Sequence, residues 1–266
     1  MSKEKGKGIE LGLAVITAVA WIIYWLAYFT YRVWSEEWGP TASPTRIGWE
    51  YGYTFCTLLW GILWMYKFSK IPKWNVPPGT MPAEGARVKI FSPYTLTGIA
   101  LVGAVFAVAG LGEFIRVDLQ ALTIAASAAY FGSIISFFGL WIGQVIARLW
   151  FVPWVMGGAA GFLDIAAWVT MDASIWSYNG YLFFKFYHSK PQWSRIKRLA
   201  LIMVLGEPIH IGFWEVRAFV VNPLNAAIAT VIVDTTTYWS ISWILVLIGY
   251  IIGASAYEAR SRTRRA

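Results

Sequence analysis

A 266-residue chain that is 58% hydrophobic, 18% aromatic and only 14% charged carries more apolar surface than a soluble domain can bury. The formal net charge of +8 invites a nucleic-acid partner, but the cations are segregated along the chain in a way that points to a membrane instead, so no nucleic acid is expected. A single cysteine, Cys56, excludes a disulfide framework and a thiolate metal cluster.

Taken in chain order, apolar runs predict helices at roughly Ile9 to Tyr31, Glu50 to Phe68, Tyr94 to Gly112, Leu119 to Phe131, Gly132 to Trp150, within Pro153 to Phe186, Leu199 to Val221 and Leu224 to Tyr257. The expected fold is an all-α polytopic membrane helix bundle of about eight transmembrane helices. The first run follows charged residues but is long and lacks a small-residue cleavage site, so it reads as a retained helix and not a signal peptide. Trp34, Trp38, Trp49, Trp74, Trp150 and Trp154 suit the headgroup level, where amphipathic rings anchor helices. A linker with Pro72, Pro77, Pro78, Gly79, Pro82 and Pro93 cannot continue a helix. It separates an N-terminal hairpin (1–70) and cytoplasmic linker (71–93) from a six-helix bundle (94–260) and a basic tail (261–266).

Most of the 22 basic residues then fall on the side of the two termini, in the groups Lys3 to Lys7, Lys67 to Lys89, Lys185 to Arg198 and Arg260 to Arg265. Arg32, Arg46, Arg116, Arg148 and Arg217 fall on the other. The positive-inside rule places both termini in the cytoplasm and the chain in the plasma membrane.

The helix around Gly98 to Ala107 holds two small-xxx-small pairs, Ala100 with Ala104 and Gly103 with Ala107. Such pairs let a second helix approach closely. They read as internal packing or as a docking face for another membrane subunit. Leu119 to Phe131 is too short to cross upright, which is tolerated where a helix lines a protein cavity. Glu113, Arg116, Asp118, Arg148, Asp172, Glu215 and Arg217 gather at the outer rim, where a solvated helix end is the ordinary role for a charge. Deeper in, Glu207, His210 and Trp214 share one face by their i, i+3, i+7 spacing, and Pro208 should kink that helix. Asp234 lies some ten residues into the last helix, roughly 15 Å at helical rise, with Tyr238 one turn on. Intramembrane carboxylates face a cavity or a partner by default, or act as interhelical glue. An acidic, aromatic-lined outward pocket suits a cation or a polar heteroaromatic.

These features carry a resemblance. The small-residue helix Gly98 to Gly112, the segment Ile115 to Asp118, the short helix to Phe131, the run Gly132 through Gly139 and Gly143 to Arg148, and the closing run from Asn222 to Arg260 resemble the membrane S-components of energy-coupling factor (ECF) vitamin transporters. The resemblance spans roughly Pro93 to Arg260. It implies a six-helix subunit that captures a small vitamin-like solute from outside, working with a transmembrane coupling subunit and cytoplasmic ATPases. Its docking helix would fall on Ala100, Gly103, Ala104 and Ala107. Its substrate-binding residues would come from Arg116, Asp118, Gln144, Glu207, His210, Trp214, Asp234 and Tyr238. The hairpin 1–70 and the length of 153–186 depart from the family pattern. No nucleotide-binding loop is present, so ATP hydrolysis belongs to partners, and no resident metal or other cofactor is expected. Besides membrane lipid, the partners expected are therefore a small-molecule substrate and those subunits. Two other readings stay open: an anchoring subunit of a membrane respiratory or other redox complex, and a proton-coupled secondary carrier using Glu207 and Asp234. Catalysis is not expected, because no nucleophile–base pair stands at useful spacing.

Overall fold

The computed structural model describes residues 91–110, 118–151, 159–188, 190–221, 224–233, 236 and 239–262. The predicted helices before residue 91 lie outside these described residues, as do Arg116, Asp234 and Tyr238, and the side chains of Arg148, Trp214, Glu215 and Arg217. Every described element is helical: α1 Pro93–Ala109, α2 Leu119–Phe131, α3 Ser133–Phe151, α4 Ala159–Leu182 followed by a π-helical turn Phe183–His188, α5 Arg195–Val221, α6 Leu224–Val233 and α7 Trp239–Arg262. The chain divides into two units. Met1–Lys67 with Trp154–Met171 form one, and Phe68–Pro153 with Asp172–Ala266 form the other. The second unit thus holds α1 to α3, α5 to α7 and the part of α4 from Asp172 onward.

Local chemistry explains the boundaries. Pro93 occupies the first turn of α1, where no donor is needed, and the Ser92 hydroxyl accepts from the Thr95 amide at 3.2 Å as N-cap. Asp118 caps α2 in the same way, accepting from Ala121 N at 2.8 Å. Gly132 ends α2 at φ 80°, a left-handed conformation that a side chain would strain, so α3 starts at once in a new direction. Pro208 lies inside α5, yet the helix runs unbroken from Arg195 to Val221. Within the expected helix from Leu224 to Tyr257 the described residues are α6, Thr236 and α7, and all of them are helical. Between them the Thr236 hydroxyl donates back to Ile232 O at 2.8 Å and Val233 O at 3.1 Å.

Small residues set the packing. A Cβ on Gly98 would meet Ile135 at 2.8 Å, one on Gly103 would meet the Gly139 carbonyl at 3.3 Å, and one on Gly143 would meet the Gly103 carbonyl at 2.8 Å. These contacts advance together along both helices, so α1 and α3 run parallel at close range. A Cβ on Gly249 would strike the Leu122 carbonyl, and one on Gly253 the Ala126 carbonyl. Thus α7 lies parallel to α2, backbone against backbone. The short helix α2 is sunk among its neighbours, with Ile124, Ala125, Ala128 and Ala129 buried. Gln120 donates to the Phe106 carbonyl at 3.3 Å, and Ser127 bonds Ser136 at 2.9 Å.

Among the described residues one segment, Ser240–Arg260, is long and apolar enough to cross a membrane, and only 33% of its most apolar window is buried. Pro93–Ala109, Leu119–Phe131 and Ser133–Ala147 are apolar but shorter.

One end of this unit is basic and aromatic. There Arg260 donates to Tyr130 Oη at 2.8 Å, Arg198 donates to the Tyr187 carbonyl at 2.9 Å, and Tyr187 donates to Glu258 at 2.9 Å. His188 donates from Nε2 to the Ala129 carbonyl at 2.9 Å and stacks 3.9 Å from the Tyr257 ring. Burial pushes the His188 imidazole down to about 4, with the Arg198 guanidinium adding to the effect against the Ala129 carbonyl and Glu258. In the unfolded chain the ring takes up its proton near pH 6.5. The stability it contributes is therefore complete above about pH 6.5 and is lost as pH falls towards 4, on the order of 3 kcal/mol at most. The unfolding midpoint should fall through that window in the parent chain. His188→Gln should flatten the profile.

Candidate functional site

The candidate site grows from helix spacing. On α4, Asp172, Trp176 and Asn179 recur at i, i+4, i+7 and share a face, and all three are buried. On α5, Glu207 and His210 sit one turn apart, also buried. Where these faces meet, His210 lies between two carboxylates. Its Nδ1 is 3.3 Å from Glu207 Oε2, and its Nε2 is 3.7 Å from Asp172 Oδ1. From α7 the fully buried Tyr250 donates to Glu207 Oε1 at 3.0 Å. The Trp176 ring meets the His210 ring edge-on at 5.0 Å and lies 6.3 Å from that of Tyr250. Gln144 of α3 and Trp176 lie beside the Asp172 carboxylate.

Polar atoms in this cluster are not all answered. Asp172 Oδ1, Gln144 Oε1 and both amide atoms of Asn179 are buried without a hydrogen-bond partner in the protein. A buried acceptor left without a hydrogen bond costs about 1–3 kcal/mol. The charge balance is also uneven. With the imidazole cationic, two carboxylates against one histidine leave one negative charge in excess, in surroundings that tolerate little net charge. Asp172 Oδ1 thus faces the His210 imidazole at 3.7 Å without accepting a hydrogen bond. At helical rise, Glu207 stands about 18 Å along α5 from Arg195 at the basic end.

The structure thus brings together Gln144, Glu207 and His210 of the predicted site residues. Asp118 sits at the near edge, where its charge acts on both Asp172 and His210. Both Asp118 oxygens are engaged, Oδ1 by the α2 cap and Oδ2 by the Ser242 hydroxyl at 2.8 Å, which ties α2 to α7. Asp172 was expected at the solvated rim. It is instead buried against His210, because the α4 face that carries it turns towards α5. Sequence reasoning missed Trp176, Asn179 and Tyr250. The 172–176–179 spacing was a usable signal for the first two, while Tyr250 gave none. No group of histidine, cysteine and carboxylate side chains suited to a metal occurs among the described residues.

The two small-residue pairs on α1 differ in position. Gly103 and Ala107 are buried, Gly103 against α3, whereas Ala100 and Ala104 are exposed together with Leu101, Val105 and Val108. Comparison with protein-family models, curated proteins and solved structures finds no match to the chain.

Proposed function

We propose that this chain is a membrane-embedded binding subunit of the S-component kind, capturing a small cationic, vitamin-like solute from outside for import driven by partner ATPases. The observation that carries the reading is the buried Asp172–His210–Glu207 cluster, in which two carboxylates share one imidazole and Asp172 Oδ1 accepts no hydrogen bond. A cationic guest would supply the missing charge. Membrane insertion is supported by α7, an apolar helix whose Ile241, Ile244, Ile248 and Ile252 are exposed. In the proposed topology about eight helices cross a bilayer with roughly 30 Å of hydrocarbon. The basic end faces the cytoplasm, and the acidic cluster lies in the outer half. The exposed Ala100 and Ala104 face is then the docking surface for a coupling subunit.

The chain purified from membranes should retain a small organic cation, detected by native mass spectrometry, or bind one such as thiamine in proteoliposomes without transporting it. Gradient-driven uptake by the chain alone would instead establish a secondary carrier. Absence of any bound or bindable cation would defeat the proposal. Ala100→Leu with Ala104→Leu should leave the unfolding midpoint nearly unchanged and abolish co-purification of the coupling subunit. By contrast, Gly103→Leu should unfold the α1–α3 contact itself.

A further inference from the structure

The basic end carries charge that nearby acids do not balance. Among the described residues, Lys185, Lys190, Arg195, Lys197, Arg198 and Arg260 stand there with Glu258, whose carboxylate already accepts from Tyr187. The arginines are engaged by the protein. Arg195 bonds Ser255 Oγ and the Ile251 carbonyl, Arg198 bonds the Tyr187 carbonyl, and Arg260 bonds Tyr94 and Tyr130.

Lys190 and Lys197 are placed differently. Both are exposed and belong to one short stretch of chain. Lys190 opens a tight turn closed by the Trp193 amide, which donates to the Lys190 carbonyl at 3.0 Å, with Pro191 fixing the second position. Ser194 then caps α5, its hydroxyl accepting from the Lys197 amide at 3.3 Å. The Lys197 ammonium lies 4.6 Å above the Trp193 ring. Next to it Ile196 is 80% exposed, and Phe91, just before α1 at the same end, is 88% exposed. Two ammonium groups, an indole and bare apolar side chains make a surface that an acidic protein face would satisfy only in its charge. A phospholipid satisfies both requirements, with phosphate for the lysines and acyl chain for Ile196 and Phe91.

We propose that the Lys190–Trp193 turn and the first turn of α5 bind the phosphate headgroup of an anionic phospholipid. The site rests on the proposed membrane insertion, and anchors the basic end at the cytoplasmic leaflet, where anionic headgroups attract clustered lysines.

The test uses the full chain in neutral detergent micelles, with its unfolding midpoint followed as phosphatidylglycerol, phosphatidylcholine, inorganic phosphate or soluble polyglutamate is added. Phosphatidylglycerol should raise the midpoint by several degrees and the other three should not. Lys190→Gln with Lys197→Gln should lose that shift, while the paired arginine variant keeps it. Equal response to both lipids, a shift that survives in the glutamine variant, or a phosphate response as large as the lipid's overturns the headgroup site. A response to polyglutamate alone also overturns it and assigns the patch to an acidic protein. A chain that stays monodisperse in buffer without detergent overturns the membrane reading itself, so the two failures are read separately.

Discussion

Asp172→Asn is expected to weaken binding of a cationic guest by roughly thirty-fold or more, the consequence of removing one partner of a buried charge pair worth about 2 kcal/mol or above. The side chain keeps its shape and its neighbours Trp176 and Gln144, so the unfolding midpoint should move little. Glu207→Gln is expected to behave differently. Both Glu207 oxygens are engaged by protein groups, Oε1 by the Tyr250 hydroxyl and Oε2 by His210. Its loss should lower stability and guest affinity together, because it holds the imidazole in place and links α5 to α7. Titration calorimetry with a bound cation, paired with thermal unfolding of both variants, separates the two roles. Equal loss of stability and binding in Asp172→Asn would mean that the cluster is interhelical glue.

The second large effect concerns the α2–α7 contact. Gly253→Val is expected to destabilise the second unit by about 3 kcal/mol or more, at the upper end for forcing extra volume into a packed interface. A Cβ there meets the Ala126 carbonyl and the Ala129 side chain, and a carbonyl inside a helix cannot move aside as a flexible side chain can. Gly249→Val should act similarly through Leu122 and Ala125. Gly212→Ala is the control. Nothing lies within 4 Å of the added methyl, so the substitution should be neutral or slightly stabilising through helix propensity alone. Comparable losses at Gly212 and Gly253 would show that backbone entropy, and not the close approach of α2 and α7, sets the cost.

Much of the architecture was legible along the chain because its determinants are local. The bounds Leu119 and Phe131 of α2 follow from an aspartate cap at one end and Gly132 at the other, both visible as residue types. The Glu207–His210 pair was legible for the same reason, since i, i+3 neighbours share a helix face wherever the helix sits.

A linear pattern states which residues share a face, but the rotation of each helix about its axis follows from how its small residues let neighbours approach. Periodicity and caps therefore determine that the described chain is helical and where its short buried helix lies. Only the packing of α4, α5 and α7 decided that Asp172 turns from the rim to His210, and that Tyr250, 43 residues beyond Glu207, closes the cluster. Those contacts join residues with no sequence relation, because their neighbourhood is set by helix crossing and not by helical repeat.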